Sequence, residues 1–171
     1  MNDMLHQLKK IASAKHGCEE PSSVEISARE KTTTKCPASQ TQSRKVQRIT
    51  LEHLLSPAKV STIQNAQYYY CPDPDCNVVY FSYENVPCFT IHDLNVKVLA
   101  KDISEDVPVC YCFGWTRHRI KNRLQEPGAS NPATEISRDV RAGKCSCDIK
   151  NPTGRCCLGD IQSYIASIGN R

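Results

Sequence analysis

Eleven cysteines in a chain of 171 residues constrain what this protein can be more than any other feature. Nine of them fall between Cys71 and Cys157. The number is odd, so complete internal disulfide pairing is impossible. The N-terminal run Met1-Asn-Asp-Met-Leu-His-Gln-Leu-Lys-Lys carries an early Asp3 and no apolar stretch, which is not the pattern of a secretory signal. No segment approaches the ~18 apolar residues of a membrane span. The expected setting is therefore cytoplasmic, away from membranes, where thiols stay reduced and clustered thiols serve metals more often than scaffolds. Residues 1–49 hold nine Lys/Arg against five Asp/Glu, and residues 50–171 hold thirteen of each. A balanced cysteine-rich body argues against a phosphate-backbone binder, which needs a basic face, so nucleic acid is not the expected partner.

The spacings narrow the chemistry. The absence of any C-x-x-C excludes a thioredoxin-like motif, c-type haem attachment and paired-knuckle zinc ribbons, and the four-cysteine ferredoxin runs do not match. What remains is Cys71-x4-Cys76, Cys110-x-Cys112, Cys145-x-Cys147 and the adjacent Cys156-Cys157. Cys71 and Cys76 flank Pro72-Asp73-Pro74-Asp75, a turn that can present two thiolates to one tetrahedral zinc. Such a pair is half a site, and Cys36 is the upstream donor. Two cysteines on strand ends without metal would have the same spacing. Cys110 and Cys112 precede a helix, and the 145–157 loop offers four more thiols. A [2Fe–2S] cluster needs four thiolates, and its negative charge suits helix N-termini. A second zinc site could use the same thiols, and spacing does not separate the two metals.

The elements read as follows. Leu5, Leu8 and Ile11 suggest a short helix within 1–17, and 18–45 read as polar linker. Thr50 is an expected cap for a turn over 51–55, and Ser56-Pro57 starts a helix to about 66. Aromatic and β-branched residues give strands at 67–71 and 77–83, and alternation of Leu94, Val96 and Val98 a third at 93–99. A polar connection at 101–108 precedes a helix capped by Thr116 and running to about 126. A second helix starts at Asn131-Pro132 and ends near Gly143, and the last spans 158–168. The resulting fold class is α+β, with the strands before the 101–108 connection and most of the helices after it. No Ser/His/Asp set, paired carboxylates or phosphate loop stands out, so a redox or metal-handling protein is expected rather than an enzyme. Arg117-His118-Arg119 with Lys121 and Arg123 is either a solvated helix face or a dock for an acidic partner. Trp115 is expected to cover the cluster.

Tyr69-Tyr70-Cys71-Pro72-Asp73-Pro74-Asp75-Cys76-Asn77-Val78-Val79-Tyr80-Phe81 resembles the zinc-binding segment in the N-terminal domain of CopZ-type copper chaperones. Pro108-Val109-Cys110-Tyr111-Cys112 and the segment from Cys147 to Cys157 resemble that domain's iron–sulfur segments, whose half is similar to bacterioferritin-associated ferredoxin. The resemblance covers roughly residues 33–168 and implies an N-terminal extension at 1–32, a small β-rich zinc unit at 33–100 and a helical cluster unit at 101–171. It implies a [2Fe–2S] cluster on Cys110, Cys112, Cys147 and Cys157, with Cys156 and Cys145 as alternates. It implies zinc on Cys36, Cys71 and Cys76, with an upstream C-P-x-C pair. Here Ser39 replaces that pair's second cysteine, leaving the fourth position to Ser39, Cys88, His92 or Cys18. The family's copper-carrying M-x-C-x-x-C module has no counterpart in this sequence. The expected role is one-electron transfer or copper-type metal handling with a redox or metal-transfer partner. The rivals are a purely structural zinc interaction module and a cluster-bearing accessory of a reductase.

Overall fold

A computed structural model of the chain describes residues 34–169; the expected helix within 1–17 and Cys18 lie outside them. Strands β1 (Arg44–Val46), β2 (Tyr68–Tyr70), β3 (Val78–Phe81) and β4 (Phe89–Thr90) form one antiparallel meander in the order β1-β2-β3-β4. Strand β3 is buried along its whole length, and its aromatic neighbours fix the pairing: Tyr70 lies opposite Tyr80 and Tyr69 opposite Phe81. Two short helices, α1 (Arg48–Leu54) and α2 (Pro57–Val60), connect β1 to β2. Leu51, Leu55, Tyr68, Val79, Tyr80 and Phe89 form the core on this side.

The second half begins with a hairpin, β5 (Pro108–Cys110) and β6 (Trp115–Thr116), followed by helices α3 (Arg117–Gln125), α4 (Pro132–Arg141), α5 (Cys147–Lys150) and α6 (Leu158–Gly169). Its core gathers Val109, Trp115, Ile120, Ile136 and Ile161 with Cys110, Cys147 and Cys157. The α+β class therefore holds, and no described helix is long and apolar enough to cross a membrane.

Several expectations shift. Residues 34–45 are not linker: Lys35 bridges to Gln42, Cys36 is fully buried and β1 begins at Arg44. Thr50 does not cap α1, which starts at Arg48 after Gln47; Thr50 is buried inside it and donates to Asp148 O at 2.6 Å. Helix α2 stops at Val60 rather than near 66. The strand expected at 93–99 is absent. A 3-10 turn at Ile91–Asp93 carries a capping box between Thr90 and Asp93, and Leu94 makes only an isolated bridge to Leu55. The 145–157 loop contains α5.

The two halves share a polar seam. Besides Thr50 and Asp148, the buried Tyr80 hydroxyl donates to Pro152 O at 2.8 Å. Gly154, at φ +65, lies so close to β1 and α1 that a Cβ there would stand 3.2 Å from Thr50 Oγ1 and 3.4 Å from Val46 Cγ2. A left-handed backbone and close approach both favour glycine.

Candidate metal centres

The first centre is built by two turns facing each other. In the upstream turn, Gln40 N donates to Cys36 O at 2.8 Å and Cys36 N to Thr41 O at 2.9 Å, with Gln40 in the left-handed region at φ 60. The second turn joins β2 to β3. Asp73 closes it by accepting Asp75 N at 2.9 Å, and its other oxygen accepts the Thr41 hydroxyl at 2.6 Å, tying the turns together. The Sγ atoms of Cys36, Cys71 and Cys76 then lie within 4.8 Å of one another, all buried. Cys36 and Cys76 are 3.9 Å apart, close to the ~3.8 Å edge of a tetrahedron with Zn–S near 2.3 Å. Phe81 and Val78 wall the site. Cys88 packs against this cluster without entering the sulfur group, and His92 is exposed on the 3-10 turn.

The electrostatics favour a bound cation. Cys36 is lowered to about 5, first by its hydrogen bond with Cys71, against burial, and then by the N–H groups of Ser39 and Ala38. The same bond and burial push Cys71 up. The pair shares one proton, which a metal would displace. Lys101, the first residue of the connection between the halves, donates its ammonium to Asp73 O at 2.6 Å and Cys76 O at 2.9 Å. Sequence reasoning missed this cation, because nothing in its spacing links it to a knuckle 25 residues upstream.

The second centre lies in the helical half, where the four cysteines form two pairs. Cys112 and Cys147 approach to 3.4 Å, and Cys110 is hydrogen-bonded to Cys157. Hairpin β5–β6 sets Cys110 opposite Trp115, α5 starts at Cys147, and α6 starts directly after Cys157. Backbone N–H groups converge on the sulfurs: Ser146 on Cys112 at 3.3 Å, Phe113 and Cys112 on Cys110, and Cys157 on Cys147. Cys110 is lowered to about 7 by its bond with Cys157, burial opposing, while Cys157 is pushed up by that bond and by burial. Burial, then the bond with Cys112, pushes Cys147 up to about 12. Cys156 is exposed and Cys145 half-buried.

Trp115 is 5% exposed and packs in the same core as Cys110, Cys147 and Cys157. The Arg119 guanidinium lies 4.0 Å over its ring and donates to Phe113 O and Gly114 O. The basic run is largely engaged within the molecule. Arg117 donates to the carbonyls of Leu99, Asp102 and Ser104, Lys121 pairs with Glu105, and Arg123 pairs with Glu126 and Glu135.

Comparison with known proteins bears on the first centre. The chain is 32% identical over 136 residues to the copper chaperone CopZ of Archaeoglobus fulgidus; the match spans 79% of this chain and 63% of that relative's length. Its fold is similar to the X-ray structure of the Archaeoglobus fulgidus CopZ N-terminal domain, with a TM-score of 0.62 at 25% identity over 80% of this chain and 98% of that one. Residues 33–95 match the zinc-binding domain family of CopZ, and Cys36, Cys71 and Cys76 all lie inside that match.

Proposed function

We propose that this chain is a metal-handling redox protein, with zinc on Cys36, Cys71 and Cys76 as its structural metal and a [2Fe–2S] cluster on Cys110, Cys112, Cys147 and Cys157 as its electron carrier. The observation that carries the reading is the arrangement of the second centre. Two close thiol pairs, rather than one group of three, suit two irons that each take two thiolates. The N–H groups directed at Cys110, Cys112 and Cys147 would stabilise the anionic cluster and raise its potential. Bound there, a cluster supplies reversible one-electron chemistry. The protein's part is to hold the sulfurs, exclude water with Trp115 and Ile161, and place the positive ends of backbone dipoles at the sulfurs. The similarity to a copper chaperone supports copper as the metal handled, with the electron serving to keep it in its reduced state for a partner. In this reading residues 33–100 form the zinc unit and 101–171 the cluster unit.

The test is anaerobic purification followed by metal and sulfide analysis. The expected content is about two irons, two acid-labile sulfides and one zinc per chain, with a red-brown colour bleached by dithionite. Cys157→Ser is expected to lose the colour, because the buried Cys157 is the member of its pair that contacts Cys110, whereas Cys156→Ser keeps it. A colourless protein holding zinc alone after anaerobic reconstitution with iron and sulfide would leave only the structural-zinc reading.

A further inference from the structure

We propose that the hydroxyl oxygen of Ser39 is the fourth ligand of the zinc, so that this chain holds its metal in a three-sulfur, one-oxygen site whose oxygen corner exchanges with a small-molecule thiolate. The inference rests on the zinc reading and adds the identity of the fourth ligand and the class of molecule that can replace it.

Geometry carries the assignment. A tetrahedral zinc with Zn–S near 2.3 Å and Zn–O near 2.0 Å has an S···O edge of about 3.5 Å. Ser39 Oγ stands 3.5 Å from Cys71 Sγ, and the Cys36–Cys76 edge, at 3.9 Å, has the length a sulfur–sulfur edge requires. The turn that docks Cys36 also aims Ser39. Gln40 N returns to Cys36 O, Gln40 takes a left-handed backbone, and Thr41 N donates to Ser39 Oγ at 3.4 Å, orienting the oxygen. The contact with Cys71 and the bond from Thr41 N, on a turn closed by Gln40 N, together hold the Ser39 oxygen beside the sulfurs.

Exposure carries the exchange. The three thiols are 0–5% exposed, whereas Ser39 is half-buried at the rim. The oxygen corner is the one solvent reaches. A neutral hydroxyl adds no charge, so zinc with three thiolates carries a net −1. Oxygen is also the weakest donor of the set towards a borderline-soft cation. An arriving thiol gives its proton to the buffer and binds zinc as thiolate: one Zn–S bond forms, the Zn–O bond to Ser39 breaks and leaves its hydroxyl neutral, and no oxidation state changes.

Zinc K-edge X-ray absorption on the full chain in thiol-free buffer tests both parts, since iron elsewhere does not contribute at that edge. The wild type is expected to show three sulfurs and one oxygen, moving to four sulfurs as 2-mercaptoethanol is added. Ser39→Cys is expected to show four sulfurs from the start and not to respond. Ser39→Ala is expected to lose zinc to a chelator about tenfold faster than wild type. Four sulfurs in the untreated wild type, or the outer-shell scattering of an imidazole, would overturn the assignment in favour of another ligand. Equal zinc release from wild type and Ser39→Ala would assign the oxygen to water. A wild-type spectrum unmoved by 2-mercaptoethanol would overturn the exchange. Absence of zinc from the site would instead sink the underlying zinc reading.

Discussion

Replacing Lys101 with methionine isolates what one ammonium does for the zinc loop. Lys101 Nζ donates to Asp73 O at 2.6 Å and Cys76 O at 2.9 Å, both carbonyls of the turn whose sulfurs face the metal. Methionine preserves most of the aliphatic stem and removes the charge. Hydrogen bonds involving a charged group are worth roughly 1.5–3 kcal/mol each when fully desolvated. Lys101 is half-buried, so water can replace part of that, and about 2 kcal/mol for the pair is the reasonable scale. The loss falls on the loaded state, because the ammonium also balances excess negative charge on the thiolates and holds the turn in its ligating shape. At 1.36 kcal/mol per tenfold, the expected effect is about a 30-fold drop in zinc affinity, measured by competition with a chromogenic chelator under anaerobic conditions. Lys101→Arg keeps a charged donor and is expected to recover part of the loss. An affinity for Lys101→Met within threefold of wild type would refute the argument and reduce Lys101 to a surface contact.

Three further perturbations probe the frame around the centres. Tyr80→Phe removes the donor to Pro152 O inside the seam and is expected to cost roughly 1–3 kcal/mol, read as a Tm lower by several degrees; an unchanged Tm would mean the carbonyl finds water. Gly154→Ala forces an alanine to φ +65 against Thr50 Oγ1 and is expected to destabilise by about 1–2 kcal/mol in chemical denaturation; no effect would mean the seam yields freely. Burial works to raise the Asp93 carboxyl, but the Thr90 N–H and hydroxyl and the Lys59 ammonium outweigh it and hold it below the usual carboxylate value. Its stabilisation is therefore present above the unfolded value of about 3.9 and lost as pH falls through the lower folded one. The stability difference between wild type and Asp93→Asn should be full near pH 6 and close below about pH 4; a difference constant with pH would refute the ionic role.

What was legible in the sequence was local. Thr116 and Asn131 are caps by residue type, and their side chains accept Arg119 N and Ala133 N as the motif requires. The last helix, expected at 158–168, is α6, with Ile161 inside the cysteine-bearing core and Tyr164, Ile165 and Ile168 packed against it. What was illegible depends on contacts distant in sequence. Thr50 has the chemistry of a cap, but its hydroxyl is used by a carbonyl 98 residues away. Leu94, Val96 and Val98 alternate as a strand would, yet among the described residues they gain only the isolated Leu55–Leu94 bridge. The backbone there is claimed instead by side chains, with Leu99 N donating to the Tyr111 hydroxyl and that hydroxyl donating to Lys97 O. Residues 34–45 are polar enough to read as linker, and composition cannot register that one buried thiol, Cys36, docks the segment beside Cys71 and Cys76. At the second centre the chain order of the cysteines was visible, but their pairing was not, since it is set by where β5 and α6 cross.

These distant contacts also bear on how the two centres relate. Each core is small, and a small domain buries a low fraction of its surface and is marginal alone. Here Lys101 reaches back to the zinc turn while the residues on either side of it, Lys97 to Ser104, are held by Tyr111 and Arg117. Tyr111 lies between Cys110 and Cys112, and Arg117 opens the helix that follows them. The connection is therefore tied at one end to the turn bearing Cys71 and Cys76 and at the other to the hairpin that presents two of the second centre's four cysteines. On the opposite side, Thr50 and Tyr80 hold the Asp148 and Pro152 carbonyls in the segment between Cys147 and Cys157. The zinc half thus braces both sequence segments that supply the second centre's thiols. Metal binding in a small domain is folding free energy, so in the proposed reading zinc on Cys36, Cys71 and Cys76 would stabilise the half from which the second centre takes its shape.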